Sequence, residues 1–401
     1  MAPLGSRIAA RVRDAPRASK LGWAGIALGV LAFYAAVPPL TVRSVVPSAL
    51  LALAAAACGG LALRDGERRL GWGALAAALV GIAGAIAATR SGVGNLERVV
   101  VWTALGAAML RYATPLIFGA LGGVVSERAG VVNIGLEGMM LVGAFFAIWG
   151  ADLTSSWLGG LLIGMVAGGL LGLVHAVFAI SLRADQIVSG TAVNLLALGI
   201  TGYVFLDRYG AEGTPGGLPE VPDVSLPIGW VPFLGPVLER LNLMVWVALI
   251  AVAVTWLVIF RTPLGLRLRS VGENPRAAET VGISVFRTRY LAVVASGVLA
   301  AMGGAFLSIG FLNSFSQNLT AGRGFIALAA VICGRWRPGG ALAFALLFGF
   351  SSALAQRLPV FSPSTATLFQ ALPYVLTLIV VAGVIGRSTP PAADGVPYTR
   401  E

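Results

Sequence analysis

Residues 242–260 read NLMVWVALIAVAVTWLVIF. None of them carries a charge, and about 20 such residues in a helix cross the ~30 Å hydrocarbon core of a bilayer. In lipid the backbone must satisfy its own polar groups, so a run of this kind folds as a helix. Similar runs at 22–42, 45–63, 70–89, 98–125, 129–150, 157–182, 186–206, 287–311, 321–334, 338–357 and 368–386 bring the expected spans to twelve. The 401 residues are 57% hydrophobic and 11% charged, whereas a soluble domain carries roughly 25% charged residues. Mean hydropathy is +0.88. The expected fold is an all-α polytopic membrane protein with about 10–12 transmembrane helices. The 53 glycines suit helices whose backbones approach closely in lipid.

The net charge of +11 fits the positive-inside rule better than a nucleic-acid partner. Most arginines fall in segments that share one side when both termini are cytoplasmic, so that is the expected topology. The turns at 126–130 (SERAG) and 183–185 (RAD) are very short. Pro115, followed by Gly119, Gly122 and Gly123, makes a helix broken near SERAG the alternative, which would shift the parity of the preceding spans. No cleavable signal peptide is evident in the basic start, and no internal repeat stands out. Residues 207–241 form a long loop rich in Pro and Gly on the outer side, and 261–286 form an inner one.

Much chemistry is excluded. The single lysine, Lys20, follows no glycine-rich turn, so there is no Walker A loop and no ATP hydrolysis by the chain itself is expected. The single histidine, His175, rules out a histidine-based metal cluster and reads as a packed polar residue. Cys58 and Cys333 read as free buried thiols. Neither a GxSxG elbow nor an HExxH pair occurs, which disfavours an intramembrane enzyme. Glu137 and Arg111 fall near the middles of their spans, where a charge needs a partner or a watery cavity. Either they pair, or Glu137 lines a solute path. Asn133 lies four residues before Glu137 and shares its helix face. A transporter driven by an ion gradient would need more intramembrane acids than this one central glutamate.

Between two spans the chain reads SVGENPRAAETVGI (270–283). Asn274 is a good N-cap, Pro275 fits the first helical position and Gly282 suits the stop. About two turns fit between these signals, too few for stability alone, so this helix must dock on something.

Three ordered stretches carry a family resemblance: SERAGVVNIGLEGMMLVGAFFA (126–147), ADQIVSGTAVNLLALGITGYVF (184–205) and TPLGLRLRSVGENPRAAETVGIS (262–284). Together they resemble permease subunits of ABC importers in the ribose, branched-chain amino acid and nucleoside group. The second stretch is most similar to the second of two non-identical permeases in bacterial nucleoside importers. The resemblance covers 98–386 and implies a permease domain there, in the bacterial plasma membrane. The additional spans at 22–97 depart from the shorter members of the group. The charge bias makes 1–21 a cytoplasmic N-terminus and 387–401 a cytoplasmic tail. The resemblance also implies a coupling helix that inserts into a separate ATPase, with Gly272, Glu273, Asn274, Pro275, Arg276, Glu279 and Gly282 as its residues. An interfacial helix on anionic lipid is the alternative for that segment.

The implied partners are ABC ATPase subunits, a second permease and an extracytoplasmic solute-binding lipoprotein docking on 207–241. No cofactor is expected on this chain, ATP and Mg being used by the ATPase. For a neutral nucleoside the solute path would use amides and hydroxyls at Asn133, Gln186, Ser189, Thr191, Asn194, Asn313 and Gln317, with Glu137. Interhelical hydrogen bonding is the competing reading of Asn194. Ribose or another simple sugar is the alternative cargo.

Overall fold

Three alanine-rich helices open the described chain: α1 (Arg17–Ala36), α2 (Val45–Arg64) and α3 (Arg68–Arg90). The computed structural model describes residues 16–36, 45–90, 102–231, 234–357 and 389–399. These three helices form one compact unit. The other unit holds the described residues from Gly106 to Ala353 together with 389–399. In the first unit, Ala32, Ala52, Ala55 and Ala78 are the buried contacts. A Cβ on Gly29 would stand 2.5 Å from the Ala77 carbonyl carbon, so the helices meet backbone to backbone.

The second unit runs α4 (Trp102–Arg128), α5 (Leu136–Thr154), α6 (Trp157–Ala176, extended by a π turn over Val177–Ser181) and α7 (Gln186–Tyr209). A hairpin follows, β1 (Asp223–Ser225) antiparallel to β2 (Arg240–Asn242), with the short α8 (Leu234–Leu238) between them. Then come α9 (Leu243–Arg261), α10 (Pro263–Glu273), α11 (Pro275–Thr280) and α12 (Val285–Ala305, extended by a π turn over Phe306–Leu312). The last helices described are α13 (Arg323–Cys333) and α14 (Pro338–Arg357).

Eight helices among the described residues are long and apolar enough to span a bilayer. The expected span at 368–386 lies outside the described residues. Two others need correction. The span expected at 129–150 begins as a helix only at Leu136, because 131–135 is non-helical, with Val131, Asn133 and Gly135 buried and Val132 and Ile134 half-buried. Apolarity masked the break. The span expected at 321–334 is an 11-residue helix, and at 1.5 Å per residue it reaches only ~16 Å, half a bilayer core.

The core sits where α5, α6 and α12 pack together. Leu136, Met139, Val142, Leu171, Val193, Ala197 and Ala300 form its apolar cluster. Glycine sets the helix spacing: a Cβ on Gly304 would stand 1.8 Å from the Met140 carbonyl oxygen, and one on Gly143 would stand 2.3 Å from Ala301 Cα. Neither obstacle is a flexible side chain, so relief requires a helix to move. Gly304→Ala is therefore expected to cost about 3 kcal/mol or more. Gly199→Ala, where a Cβ meets nothing within 4 Å, should be neutral. Thermal stability of the two variants in detergent, read by size-exclusion chromatography, checks the contrast.

Candidate functional site

The α10–α11 arm is built from two caps. Thr262 accepts from the Gly265 N–H at 3.2 Å to start α10, and Asn274 accepts from the Ala277 N–H at 3.1 Å to start α11. Each cap is followed by proline at the first helical position, where no N–H is needed. Gly282 closes α11 in the left-handed region at φ 83°, where glycine is unstrained. Ala278 is the buried residue of α11, set against Val271, Val285 and Tyr398. Asn274, Arg276, Ala277, Thr280 and Val281 face outward, Val281 with 74% of its surface exposed. Gly272 has no room to change: a Cβ there would meet the Arg128 carbonyl oxygen at 2.1 Å. The arm thus rests on the end of α4 through Gly272 and on α12 through Ala278.

A third element holds it. The tail 389–399 lies along the arm, with the Ala393 N–H donating to the Gly272 carbonyl at 2.9 Å and the Ala392 N–H to Glu273 Oε2 at 3.3 Å. Arg289 of α12, 1% exposed, donates to the carbonyls of Val396 (3.0 Å) and Ala393 (3.5 Å). The Tyr398 hydroxyl donates to Glu279, and its ring meets Phe286 edge-on at 5.7 Å. Glu279, expected to face a partner, is therefore engaged by the chain's own tail. The burial of Arg289 and the docking of the tail escaped the sequence reading. Burial pushes the Asp394 carboxyl from 3.8 up to about 7, against the opposing pull of the Arg289 guanidinium and the Gly395 N–H.

The residues expected along a solute path lie in two places. Asn133 belongs to the non-helical segment 131–135, and Gln186 and Asn194 bond to its backbone. Gln186 Oε1 accepts from the Val132 N–H at 2.7 Å. Asn194 donates to the Ile134 carbonyl at 3.0 Å and accepts from the Gly138 N–H at 2.7 Å. Asn133 donates to Ser296 Oγ at 2.9 Å, and Ser126 donates to the Val131 carbonyl at 2.7 Å. His175 is fully buried, its Nε2 3.1 Å from the Val132 carbonyl and its Nδ1 3.0 Å from the Ser189 hydroxyl. The carbonyl can only accept, so the proton sits on Nε2 and Ser189 donates to Nδ1. Thr191 turns its hydroxyl back to the Ile187 carbonyl at 2.9 Å.

Glu137 does not pair with Arg111. It lies in the first turn of α5, and its carboxylate accepts from Thr320 Oγ1 (2.5 Å), the Gly322 N–H (2.8 Å) and the Gly324 N–H (2.5 Å). Negative charge at the start of α13 complements the helix dipole and fills its orphan donors. Glu137 is also not the one interior acid: α4 continues through Glu127, which is 3% exposed and accepts from the Trp336 indole N–H.

Arg111 lines a cavity of about 290 Å³ at the opposite end of α12 from the arm, with Glu220, Asp223, Asn242, Phe306, Phe311 and Asn313 on its wall. Phe306 and Phe311 stack at 5.9 Å, and Tyr112 meets Phe311 edge-on. Asn313 donates to Glu220, while Gln317 stands exposed nearby in sequence. Asn313 is the only expected path residue on this cavity. Its aromatic walls come from the π turn of α12, which no local sequence signal marks.

The family described as branched-chain amino acid transport system / permease component matches residues 105–381. The chain is 43% identical over 309 residues to the guanosine ABC transporter permease protein NupQ of Bacillus subtilis, covering 73% of this chain and 95% of that one. It is 41% identical over 306 residues to the nucleoside ABC transporter permease protein NupC of Lactococcus lactis, covering 73% and 96%. A putative glucose ABC transporter permease protein of Haloferax volcanii, TsgC13, is 39% identical over 252 residues, covering 62% and 76%. No solved structure matches. The chain, a multi-pass membrane protein by its helices, belongs to the permease family of branched-chain amino acid type ABC transport systems.

Proposed function

We propose that this chain is one permease subunit of an ABC importer that carries nucleosides across the plasma membrane, powered by separate ATPase subunits that bind ATP and Mg. The relatives named for guanosine and nucleosides support that cargo, and the putative glucose permease keeps a sugar as the second reading. The chain has no ATPase site of its own and works beside a second, non-identical permease.

The observation that carries the reading is α11. It is capped at both ends, too short to stand alone, and offers Arg276, Ala277, Thr280 and Val281 outward while Ala278 roots it on α12. A push on such a helix moves it as a rigid body, and α12 carries the push into the glycine-spaced core. The exposed arginines Arg261, Arg267, Arg276, Arg335 and Arg337 crowd this face, which supports reading it as cytoplasmic by the positive-inside rule. On the outer face, the β1–β2 hairpin with Trp230, 81% exposed, receives a solute-binding lipoprotein. The cavity beside it offers ring faces and polar groups suited to a base and its sugar hydroxyls.

Val281→Asp changes an exposed side chain without touching the packed face of α11. It should lower ATP-driven nucleoside uptake at least tenfold with membrane insertion unchanged, as read with labelled uridine, adenosine and ribose in cells carrying all subunits. Normal uptake would remove α11 from the ATPase contact. Ribose uptake alone would change the cargo and keep the machine.

The tail carries a pH dependence. A carboxyl raised from 3.8 to about 7 in the docked state holds a proton that the released state gives up. Docking therefore weakens as pH climbs from about 4 to about 7 and levels off above. Arg289, Glu127 and Tyr398 are the charged and titratable groups around it. Protection factors for hydrogen exchange at 389–399, corrected for the intrinsic pH dependence of amide exchange, should fall across that window in the wild type and stay level in Asp394→Asn.

A further inference from the structure

Beside the arm lies a second cavity, about 460 Å³, lined by Arg128, Glu273, Arg335, Arg337, Thr389 and Pro390. Three guanidinium groups face one carboxylate, and that carboxylate already accepts the Ala392 N–H. Arg128 is aimed by its surroundings. Its Nε donates to the Trp336 carbonyl at 2.9 Å, and its guanidinium lies over the Phe260 ring at 5.9 Å. Its terminal nitrogens make no hydrogen bond among the described residues, and the side chains of Arg335 and Arg337 make no hydrogen bond or ion pair there.

The turn that presents the other two arginines is strained. Arg335 and Trp336 have φ of 57° and 52°, successive left-handed residues without glycine, a conformation that side chains with a Cβ rarely adopt. What holds it is the Trp336 side chain, 5% exposed, with its indole N–H on the buried Glu127. The Arg337 N–H closes the turn on the Gly334 carbonyl at 3.2 Å. Burial of the tryptophan between two exposed arginines throws both guanidinium groups outward to the rim of one cavity. Next to this rim, Arg269 also lies over the Phe260 ring, at 5.3 Å, and Arg261 lies over the exposed Trp256 at 5.4 Å. Arginine and tryptophan together at a helix end mark the level of lipid headgroups.

We propose that this cavity is an anion site that takes a phosphate group through the guanidinium forks of Arg128, Arg335 and Arg337. Arginine pairs with phosphate by two parallel hydrogen bonds, and a basic pocket on the cytoplasmic side of a helix bundle suits an anionic lipid headgroup or a free phosphate. An occupant would bridge the end of α4, the α13–α14 turn, the last residue of α10 and the start of the tail. Glu273 lies two residues before the start of α11, so occupancy bears directly on the arm. The site is independent of the cargo.

The test uses the full chain, stripped of lipid in detergent, and the double variant Arg335→Ala/Arg337→Ala, whose two side chains are exposed and unpaired. Arg287→Ala, an exposed arginine on the same face outside the cavity, controls for general charge. Native mass spectrometry follows binding of phosphatidylglycerol against phosphatidylcholine, and labelled inorganic phosphate is the second probe. The wild type should prefer phosphatidylglycerol at least tenfold, and the double variant should lose that preference while Arg287→Ala keeps it. Replacement of both arginines by lysine, which keeps charge without the fork, should give an intermediate loss. Phosphate binding that the double variant abolishes, without lipid preference, assigns the site to a free anion. A double variant that binds both probes like the wild type overturns the proposal, as does an equal loss in Arg287→Ala.

Discussion

A non-helical segment buried inside a membrane protein must find a partner for every backbone polar group, because lipid supplies none. Residues 131–135 impose that constraint here. Side chains from three helices meet N–H and C=O groups of this segment: Ser126 from α4, His175 from α6, and Gln186 and Asn194 from α7. Each unmet group would cost several kcal/mol, so these polar residues are placed where the broken chain needs them. The break lets α5 start inside the unit rather than at its surface. That in turn puts Glu137 where α13, another helix that starts inside, needs an anion at its first turn. Two half-buried helix starts and one broken loop form a single polar layer through the core.

Around that layer the packing is close. Gly143, Gly168, Gly297 and Gly304 bring α5, α6 and α12 to backbone contact, and dispersion over such contacts substitutes for a hydrophobic drive that is weak between helices in lipid. The three helices behave as one block. α12 is the member of that block that also leaves it, descending to Arg289, Val285 and the arm.

How much of this was legible followed from which physical signal each part leaves in the chain. Long apolar runs are unavoidable in lipid, so α2, α4, α6, α7, α9, α12 and α14 could be placed within a few residues. Caps are local, so α11 was expected at 274–281 and lies at Pro275–Thr280 behind Asn274. The break at 131–135 and the half-length α13 were read as parts of spans, because single polar residues, Asn133 in VVNIG and Arg323 in AGRGF, do not by themselves end an apolar run. A buried amide is ambiguous in a different way: it needs a partner, and nothing in its neighbours says whether that partner is a solute, a helix or an unwound backbone. Asn133, Gln186 and Asn194 were therefore assigned to a path, while their hydrogen bonds in the structure go to the chain. The tail at 389–399 was hidden by its polar composition. Val396 and Tyr398 were the available hint that part of it is anchored.

The arm is fastened at three points with different chemistry, and this decides how it can move. Gly272 against the Arg128 carbonyl is a steric stop with no slack. Ala278 among Val271, Val285 and Tyr398 is an apolar seat that tolerates sliding. Arg289 and the tail form hydrogen bonds that break and remake as units. A helix held this way pivots about its Gly272 end, with the tail setting how far the α11 end travels. The outward residues of α11 sit at that free end, at the greatest distance from the pivot. On the proposed function, a small closure of a partner there would rotate the arm, and the Ala278 contact with α12 would pass that rotation to the glycine-spaced block.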